Sequence, residues 1–188
     1  TYLTTEKILS FLFSQNKINC LIQIGANDGL RFDSLNHYIK KYATKSILVE
    51  PIKKTFDDLM YNYKGFENVI FENSAISVNK QISYLYKINP LKEIKYKSEH
   101  FKGIMSFDKH HLLKHGVKKQ DIIKENVKSI SIKGLIDKYN LDIFDLLFVD
   151  AEGYDADIIK DFLNSSSIRP TIIFEYLHVS NDKFVDLI

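Results

Sequence analysis

Apolar residues occur along the chain in short continuous runs, and most of these runs are separated by segments of helix length. Runs that are apolar on both faces are typical of strands in a parallel sheet that helices cover on both sides. The sequence therefore predicts alternating strands and helices, which is the α/β class. The five predicted strands are CLIQIG (20–25), SILVE (46–50), VIFEN (69–73), DLLFVD (145–150) and TIIFEY (171–176).

Four other segments carry apolar residues at helical spacing. The first has Thr4 or Thr5 available as an N-cap. The last begins with Asp155 and Asp157, where the helix dipole favours acidic side chains. The predicted helices are TTEKILSFLFSQ (4–15), RFDSLNHYIKKY (31–42), KKTFDDLMYNY (53–63) and DADIIKDFLNS (155–165).

The alternation of strands and helices is interrupted between about residues 78 and 133. Residues 81–88 alternate as a strand does, residues 97–116 are polar and rich in histidine, and residues 127–132 form another strand-like run. The stretch is too long for a simple crossover between parallel strands. We therefore expect part of this insertion to form a lid or a hairpin near the functional site.

Two histidines of the insertion, His111 and His115, would share one face of a helix. Such a pair is one arrangement that binds metal ions. No acid or cysteine lies at ligand spacing beside it in the sequence, so we expect no metal site. The histidines are instead expected to belong to a lid surface that contacts the substrate.

Composition narrows the class of protein. A length of 188 residues fits one domain over 1–188, and 45% hydrophobic with 27% charged residues excludes a mainly disordered chain. The net charge is only +2, and Arg31 and Arg169 are the only arginines, so nucleic-acid binding is not expected. One cysteine, Cys20, and no apolar run near the ~20 residues of a membrane span predict a cytoplasmic protein. The missing initiator methionine indicates a trimmed or partial chain.

The first predicted strand runs into a turn, in the stretch LIQIGANDGL (21–30). In a doubly wound sheet, ligands bind beyond the carboxyl ends of the strands. Gly25 and Gly29 would let a ligand approach the backbone with no Cβ in the way. The G-A-N-D-G spacing lacks the third glycine of dinucleotide sites, which favours a ligand whose amino-acid end meets the loop. The alternative is a plain strand-to-helix turn.

Acidic side chains end two further predicted strands. Glu50 follows the glycine turn by about twenty residues, where a carboxylate can accept both ribose hydroxyl hydrogens. Its alternative is a solvated acid at a strand end. Asp150 and Glu152 emerge beside the expected switch point and could contact cofactor, substrate or metal. A helix-capping role fits Asp155 and Asp157 better than it fits Asp150.

Five segments, taken in order, resemble the FkbM-like S-adenosylmethionine-dependent methyltransferases. The resemblance covers roughly residues 20–178 and implies a Rossmann-like class I methyltransferase fold, a mostly parallel twisted sheet with helices on both faces. It also implies S-adenosylmethionine as the cofactor and O-methylation of a hydroxyl on a sugar or another natural-product acceptor. The segments are QIGANDG (23–29), LVEP (48–51), NSAIS (73–77), DLLFVDAEGYDADII (145–159) and IIFEYLH (172–178).

Roles for individual residues are implied by the same resemblance. The catalytic candidates, beside the reacting methyl group or flanking the cleft, are Asp150, Glu152, Glu175 and His178. The cofactor-binding candidates are Gly25, Ala26, Asn27 and Gly29 around the methionine part, Glu50 at the ribose, Pro51, Ser74 and Ala75 near the adenine, and Asp150.

Two departures from the family pattern are visible. The C-terminal antiparallel strands of the family are expected to be missing, because the chain stops within SNDKFVDLI (180–188). Gln23 and Asp28 also vary the commoner form of the first motif, although neither removes backbone contacts.

Three other functions were weighed. An NAD-dependent or nucleotide-sugar oxidoreductase is disfavoured by the absent third glycine and by the acid pair Asp150 and Glu152. A nucleic-acid methyltransferase would carry an N-P-P-Y-like element, whereas NPLK at Asn89 is incomplete. A degenerate domain that binds a ligand or a partner without catalysis stays open. The intact Glu50 and Asp150 count against it, and the missing tail counts for it.

Overall fold

The computed structural model describes residues 4–31, 33–78, 84–96, 101, 104–176, 179 and 181–187. In chain order its helices and strands are α1 (Thr5–Ser14), β1 (Cys20–Ile24), α2 (Asn36–Tyr42), β2 (Lys45–Val49), α3 (Lys53–Asn62), β3 (Val69–Glu72), β4 (Ala75–Ile76), β5 (Tyr84–Ile88), β6 (Met105–Ser106), α4 (Lys109–Lys114), β7 (Ile122–Asn126), β8 (Ser129–Ile130), α5 (Ile132–Lys138), β9 (Leu146–Val149), α6 (Asp155–Ser165), β10 (Thr171–Phe174) and α7 (Asn181–Leu187). Short 3₁₀ helices cover Pro90–Lys95 and Lys119–Asp121.

The centre of the fold is a five-stranded parallel sheet in the order β10-β9-β1-β2-β3. Ile22 in β1 lies between Ile47 of β2 and Leu147 of β9, so β1 occupies the middle of the sheet. The chain adds β2 and β3 on one side of β1 and later adds β9 and β10 on the other. The gap between β1 and β9 is therefore the topological switch point. The predicted α/β class and Rossmann-like sheet are confirmed.

Apolar side chains cover both faces of this sheet. Because side chains alternate between the faces of a strand, a sheet covered on both sides needs strands that are apolar throughout. One face packs on α5 and α6 through Ile22, Ile47, Leu147, Leu135, Ile158 and Phe162. The other packs on α1, α2 and α3 through Leu21, Leu48, Leu146, Leu9, Ile39 and Leu59.

The helix boundaries follow local capping. Thr4 caps α1, because its hydroxyl accepts the N–H of Lys7 over 3.4 Å. The second helix begins at Asn36 rather than at Arg31, because Asp33 holds a turn there. The Asp33 Oδ1 atom accepts the backbone N–H groups of Leu35 over 2.8 Å and of Asn36 over 3.3 Å. This turn places the Asp33 carboxylate ahead of α2 instead of inside it.

The insertion contains a small antiparallel sheet in the order β6-β5-β7. The strand expected over 81–88 is present at Tyr84–Ile88, and residues 79–83 lie outside the described residues. Of the strand expected over 127–132, only Ser129–Ile130 forms a strand, and it pairs in parallel with β4. The rest of that prediction is wrong. The strand stops there because the Ser131 hydroxyl accepts the N–H of Gly134 over 3.0 Å and starts α5.

Within the described residues, no further strand joins the central sheet beyond β10. The chain continues there into α7, whose Lys183 and Asp186 form ion pairs with Asp157 and Lys160 of α6. No helix in the described part of the chain has the length and apolar character needed to cross a membrane.

Candidate active site

A cavity lies at the carboxyl edge of the central sheet, beside the switch point between β1 and β9. The loops that follow β1, β2 and β9 form a large part of its wall. The insertion contributes Leu85, Met105, Ser106 and Phe107 to the wall. The insertion therefore lies against the site where the fold class is expected to bind ligands.

Most of the site residues predicted from the sequence line this one cavity. Gly29 is absent from the described wall. His178 lies outside the described residues, so its prediction is not tested. The residues that the structure brings together are Gly25, Ala26, Asn27, Glu50, Pro51, Ser74, Ala75, Asp150, Glu152 and Glu175.

The two loop glycines both pack closely against other parts of the protein. Gly25 has a φ of +80°, and a Cβ there would lie 1.9 Å from the carbonyl oxygen of Asp150. A Cβ on Gly29 would lie 2.7 Å from side-chain atoms of both Leu59 and Tyr63. Protein atoms thus fill the space that each missing side chain leaves, although the backbone of Gly25 still lines the cavity.

Glu50 follows β2 directly and is 2% exposed, so the alternative of a solvated acid is wrong. Its Oε2 atom accepts the N–H of Asn27 over 3.1 Å, and its Oε1 atom accepts the N–H of Ile52 over 2.9 Å. Burial, together with the negative charge of Asp28, raises the pKa of Glu50 to about 7 against these hydrogen bonds. Each carboxylate oxygen has a second lone pair that can accept a ligand hydroxyl.

A cluster of acids surrounds the loop after β9. Burial, together with the negative charges of Glu152, Glu175 and Asp155, raises the pKa of Asp150 to about 7. Asp155 is fully buried and accepts the N–H groups of Ala151 and Gly153, each over 3.1 Å. These bonds hold the loop in which Glu152 adopts a φ of +49°, an uncommon conformation for a residue other than glycine. Asp155 therefore shapes the loop that carries Glu152.

The insertion contacts this acidic loop directly. The Nε2 atom of His111 lies 3.3 Å from Oε2 of Glu152, and the Ser106 hydroxyl donates to the Glu152 carbonyl over 3.3 Å. The rings of His111 and His115 lie 4.5 Å apart, as their spacing on one helical face predicts. Among the described residues, no group of three or more His, Cys, Asp or Glu could hold a metal ion.

Four polar residues of the described cavity wall were not predicted as site residues, namely Gln23, Arg31, Asp33 and Ser106. Gln23 is the one polar residue of β1 at a buried position, and a polar side chain within the run LIQI was the available signal. Arg31 donates from Nε to Asp28 Oδ2 over 2.6 Å. Burial opposes ionisation of Asp28, but bonds from Arg31 and Leu30 keep its pKa below the usual value.

The wall of the cavity is strongly acidic. Within the described lining, Arg31 is the one permanently cationic side chain, and it is paired with Asp28. Such a surface attracts cationic ligands and repels anions such as a pyrophosphate. The carboxyl groups of the wall are those of Asp33, Glu50, Asp150, Glu152 and Glu175.

A parallel doubly wound sheet with a cavity at its switch point defines a Rossmann-like α/β protein. The sequence pattern of the methyltransferase FkbM domain matches residues 23–188. The match extends over most of the chain, which therefore belongs to the FkbM methyltransferase family. The comparison with curated proteins gives no match.

Proposed function

We propose that this protein is an S-adenosylmethionine-dependent methyltransferase that methylates a hydroxyl group of a sugar or another small natural product. One observation carries the proposal, namely the acidic cavity at the switch point, with Glu50 at the end of β2 and Asp150 at the end of β9. A sulfonium cofactor is cationic, so an acidic wall suits it better than it suits a dinucleotide.

Separate parts of the wall fit separate parts of this cofactor. We assign Glu50 to the ribose hydroxyls, because its buried carboxylate keeps lone pairs beyond the two that accept backbone N–H groups. The backbone of Gly25, Ala26 and Asn27 would hold the methionine part. Pro51, Ser74 and Ala75, which lie after β2 and β3, would contact the adenine.

When bound, S-adenosylmethionine supplies an electrophilic methyl group on a positively charged sulfur. Transfer to a hydroxyl forms a carbon–oxygen bond as the carbon–sulfur bond breaks, and the hydroxyl proton must go to a base. We assign the base to Asp150, because it lines the cavity at the end of β9 and its pKa is raised to about 7 by burial and the neighbouring acids. Glu152 and Glu175 are the alternatives in the described wall, and His178 stays a prediction.

The insertion would act as a lid over the acceptor. Met105 and Phe107 give it an apolar inner surface, and His111 ties it to the acidic loop through Glu152. A lid of this kind excludes water and holds donor and acceptor in line, which is the main source of rate in methyl transfer.

The rival functions fit this wall less well. A pyrophosphate would face five carboxyl groups, so an NAD-dependent oxidoreductase is disfavoured. A non-catalytic ligand-binding domain would have no need for an acid such as Asp150, whose pKa of about 7 suits proton transfer. The free cysteine, Cys20, supports a reducing compartment such as the cytoplasm.

Calorimetry with S-adenosylhomocysteine and NAD, each titrated into the same protein, tests the proposal. We expect S-adenosylhomocysteine to bind more tightly, and Glu50→Ala to weaken its binding by about 1.5–3 kcal/mol through lost charge-assisted hydrogen bonds. Glu67→Ala is the matched control, because Glu67 is exposed and does not line the cavity. Tighter binding of NAD, or equal affinities of the Glu50 and Glu67 variants for S-adenosylhomocysteine, would contradict the assignment.

A further inference from the structure

Two buried acceptor atoms in the cavity wall have no hydrogen-bond partner. They are Oε1 of Gln23 and Oδ2 of Asp33, and both residues line the cavity. Buried polar atoms in folded proteins are nearly always hydrogen-bonded, because an unmatched acceptor loses its water without a replacement. Two such atoms in neighbouring residues of one wall therefore point to a ligand that supplies donors.

The orientation of Gln23 follows from its neighbour. The amide Nε2 of Gln23 donates to Asp33 Oδ1 over 3.1 Å. An ionised carboxylate can only accept, so the amide nitrogen must face it and the amide oxygen must face away. Gln23 is 2% exposed, so its amide oxygen has almost no contact with solvent.

Only one of the two carboxylate oxygens of Asp33 accepts hydrogen bonds within the described structure. Its Oδ1 atom accepts from Gln23 and from the N–H groups of Leu35 and Asn36, so the turn before α2 fixes the carboxylate. The Oδ2 atom accepts nothing. Burial raises the pKa of Asp33, and the negative charge of Asp28 adds to that rise. A cation bound beside this carboxyl would favour its ionised form.

Few chemical groups can pair with both of these unpartnered oxygen atoms. Both atoms accept, so the ligand must donate, and the carboxylate favours a positive charge. A metal ion would need more ligands than this pair, and the described residues contain no metal-binding group of three or more acids, histidines or cysteines. A primary ammonium carries three N–H donors on one positive centre and can serve both acceptors at once.

We propose that Gln23 and Asp33 bind the α-ammonium group of the methionine part of S-adenosylmethionine. This assignment rests on the proposed function and adds two residues that specify an amino-acid end on the ligand. The neutral acceptor comes from β1 and the charge comes from the turn before α2. The pair therefore distinguishes ligands that carry the amino group from nucleosides that lack it.

Calorimetry with three ligands tests the assignment: S-adenosylhomocysteine, its deaminated analogue, and 5′-methylthioadenosine, which lacks the whole amino-acid end. We expect Asp33→Asn to weaken S-adenosylhomocysteine binding roughly 10- to 100-fold, the usual effect of losing a charge-assisted hydrogen bond. Gln23→Leu should weaken it by about 5- to 10-fold. Neither variant should change binding of the deaminated analogue or of 5′-methylthioadenosine by more than about twofold.

Asp57→Asn is the matched control, because Asp57 is an exposed acid of α3 paired with Lys53. Thermal unfolding of each variant shows whether it folds, and unchanged 5′-methylthioadenosine binding shows that the nucleoside site is intact. Equal losses for all three ligands, or no loss for S-adenosylhomocysteine, would contradict the assignment of these atoms to an ammonium group. Failure of the unmodified protein to bind S-adenosylhomocysteine would instead contradict the proposed function itself.

Discussion

The carbonyl oxygen of Asp150 occupies the place where a side chain on Gly25 would begin, with only 1.9 Å between that oxygen and the position of a Cβ atom. The N–H groups of Gly25 and Ala26 both donate to the Val49 carbonyl over 3.0 Å, and the Asp150 N–H donates to Ile24 over 3.0 Å. Three strand ends therefore meet at Gly25. The loop that would hold the cofactor and the acid that would take the proton are in direct contact.

Gly25→Ala should lower the free energy of unfolding by about 3 kcal/mol or more, because it adds steric overlap to an unfavourable φ. Gly65→Ala is the matched control. Gly65 has a φ of +89°, but nothing lies within 4 Å of its Cβ position, so only the conformational strain of about 1 kcal/mol applies. Urea unfolding measures both values. Similar losses of unfolding free energy in the two variants would show that the steric overlap with Asp150 adds nothing to the cost of Gly25→Ala.

Glu50 makes stability depend on pH. Its pKa is about 7 in the folded protein, against 4.5 for an unperturbed glutamate side chain, so the fold binds this proton more tightly than the unfolded chain does. The resulting stabilisation is full below pH 4.5 and is lost as the pH rises through 7. Between pH 5 and pH 8 the protein should lose about 2 kcal/mol through this group, and Glu50→Gln should lose correspondingly less. If the free energy of unfolding changed with pH in the same way in both proteins, the raised pKa of Glu50 would be refuted.

Asp150→Asn should stabilise the fold at pH 8 by about 1 kcal/mol, because it removes a charge that burial and three neighbouring acids oppose. At pH 5 the gain should be smaller, since the carboxyl of Asp150 is then largely protonated. Thermal or urea unfolding at the two pH values measures the difference. A variant that is less stable at pH 8 than the natural protein would show that Asp150 makes a favourable interaction as an anion.

Glu72 anchors α5 to the end of β3. Its carboxylate accepts hydrogen bonds from Ser74 Oγ over 2.6 Å, Lys138 Nζ over 2.5 Å and Tyr139 Oη over 2.7 Å. Burial opposes its ionisation, but these donors lower the pKa of Glu72 below its usual value. The stabilisation is therefore present above the unfolded pKa near 4.5 and is lost as the pH falls.

Glu72→Gln should lower the free energy of unfolding by about 2 kcal/mol at pH 7 and by less at pH 3. Asp137→Asn is the control, because the ion pair of Asp137 with Lys133 is exposed and should contribute no more than about 0.5 kcal/mol. Urea unfolding of both variants at the two pH values provides the comparison. A Glu72→Gln loss that does not change with pH would place its role in packing rather than in charge.

Much of the fold could be predicted because its signals are local. The five apolar runs became five parallel strands, since a strand covered on both faces must be apolar at every position. Glu50, Asp150 and Glu175 could be placed at one sheet edge, because each follows a strand and parallel strands end on the same side. The insertion was predicted less well, since its short strand at Ser129–Ile130 pairs with Ala75–Ile76, which precedes the insertion in the sequence.

The amino-acid sequence alone determined the α/β class, the succession of strands and helices along the chain, and the acids that emerge where strands end. Only the tertiary structure decided which of these groups are buried, what the glycines pack against, and which distant side chains meet. Gln23 contacts Asp33 because the turn before α2 places the Asp33 carboxylate outside that helix. Glu152 contacts His111 although 41 positions separate them in the sequence. Periodicity encodes which face a residue takes, whereas contacts between distant elements depend on how whole faces pack, and no local pattern records that.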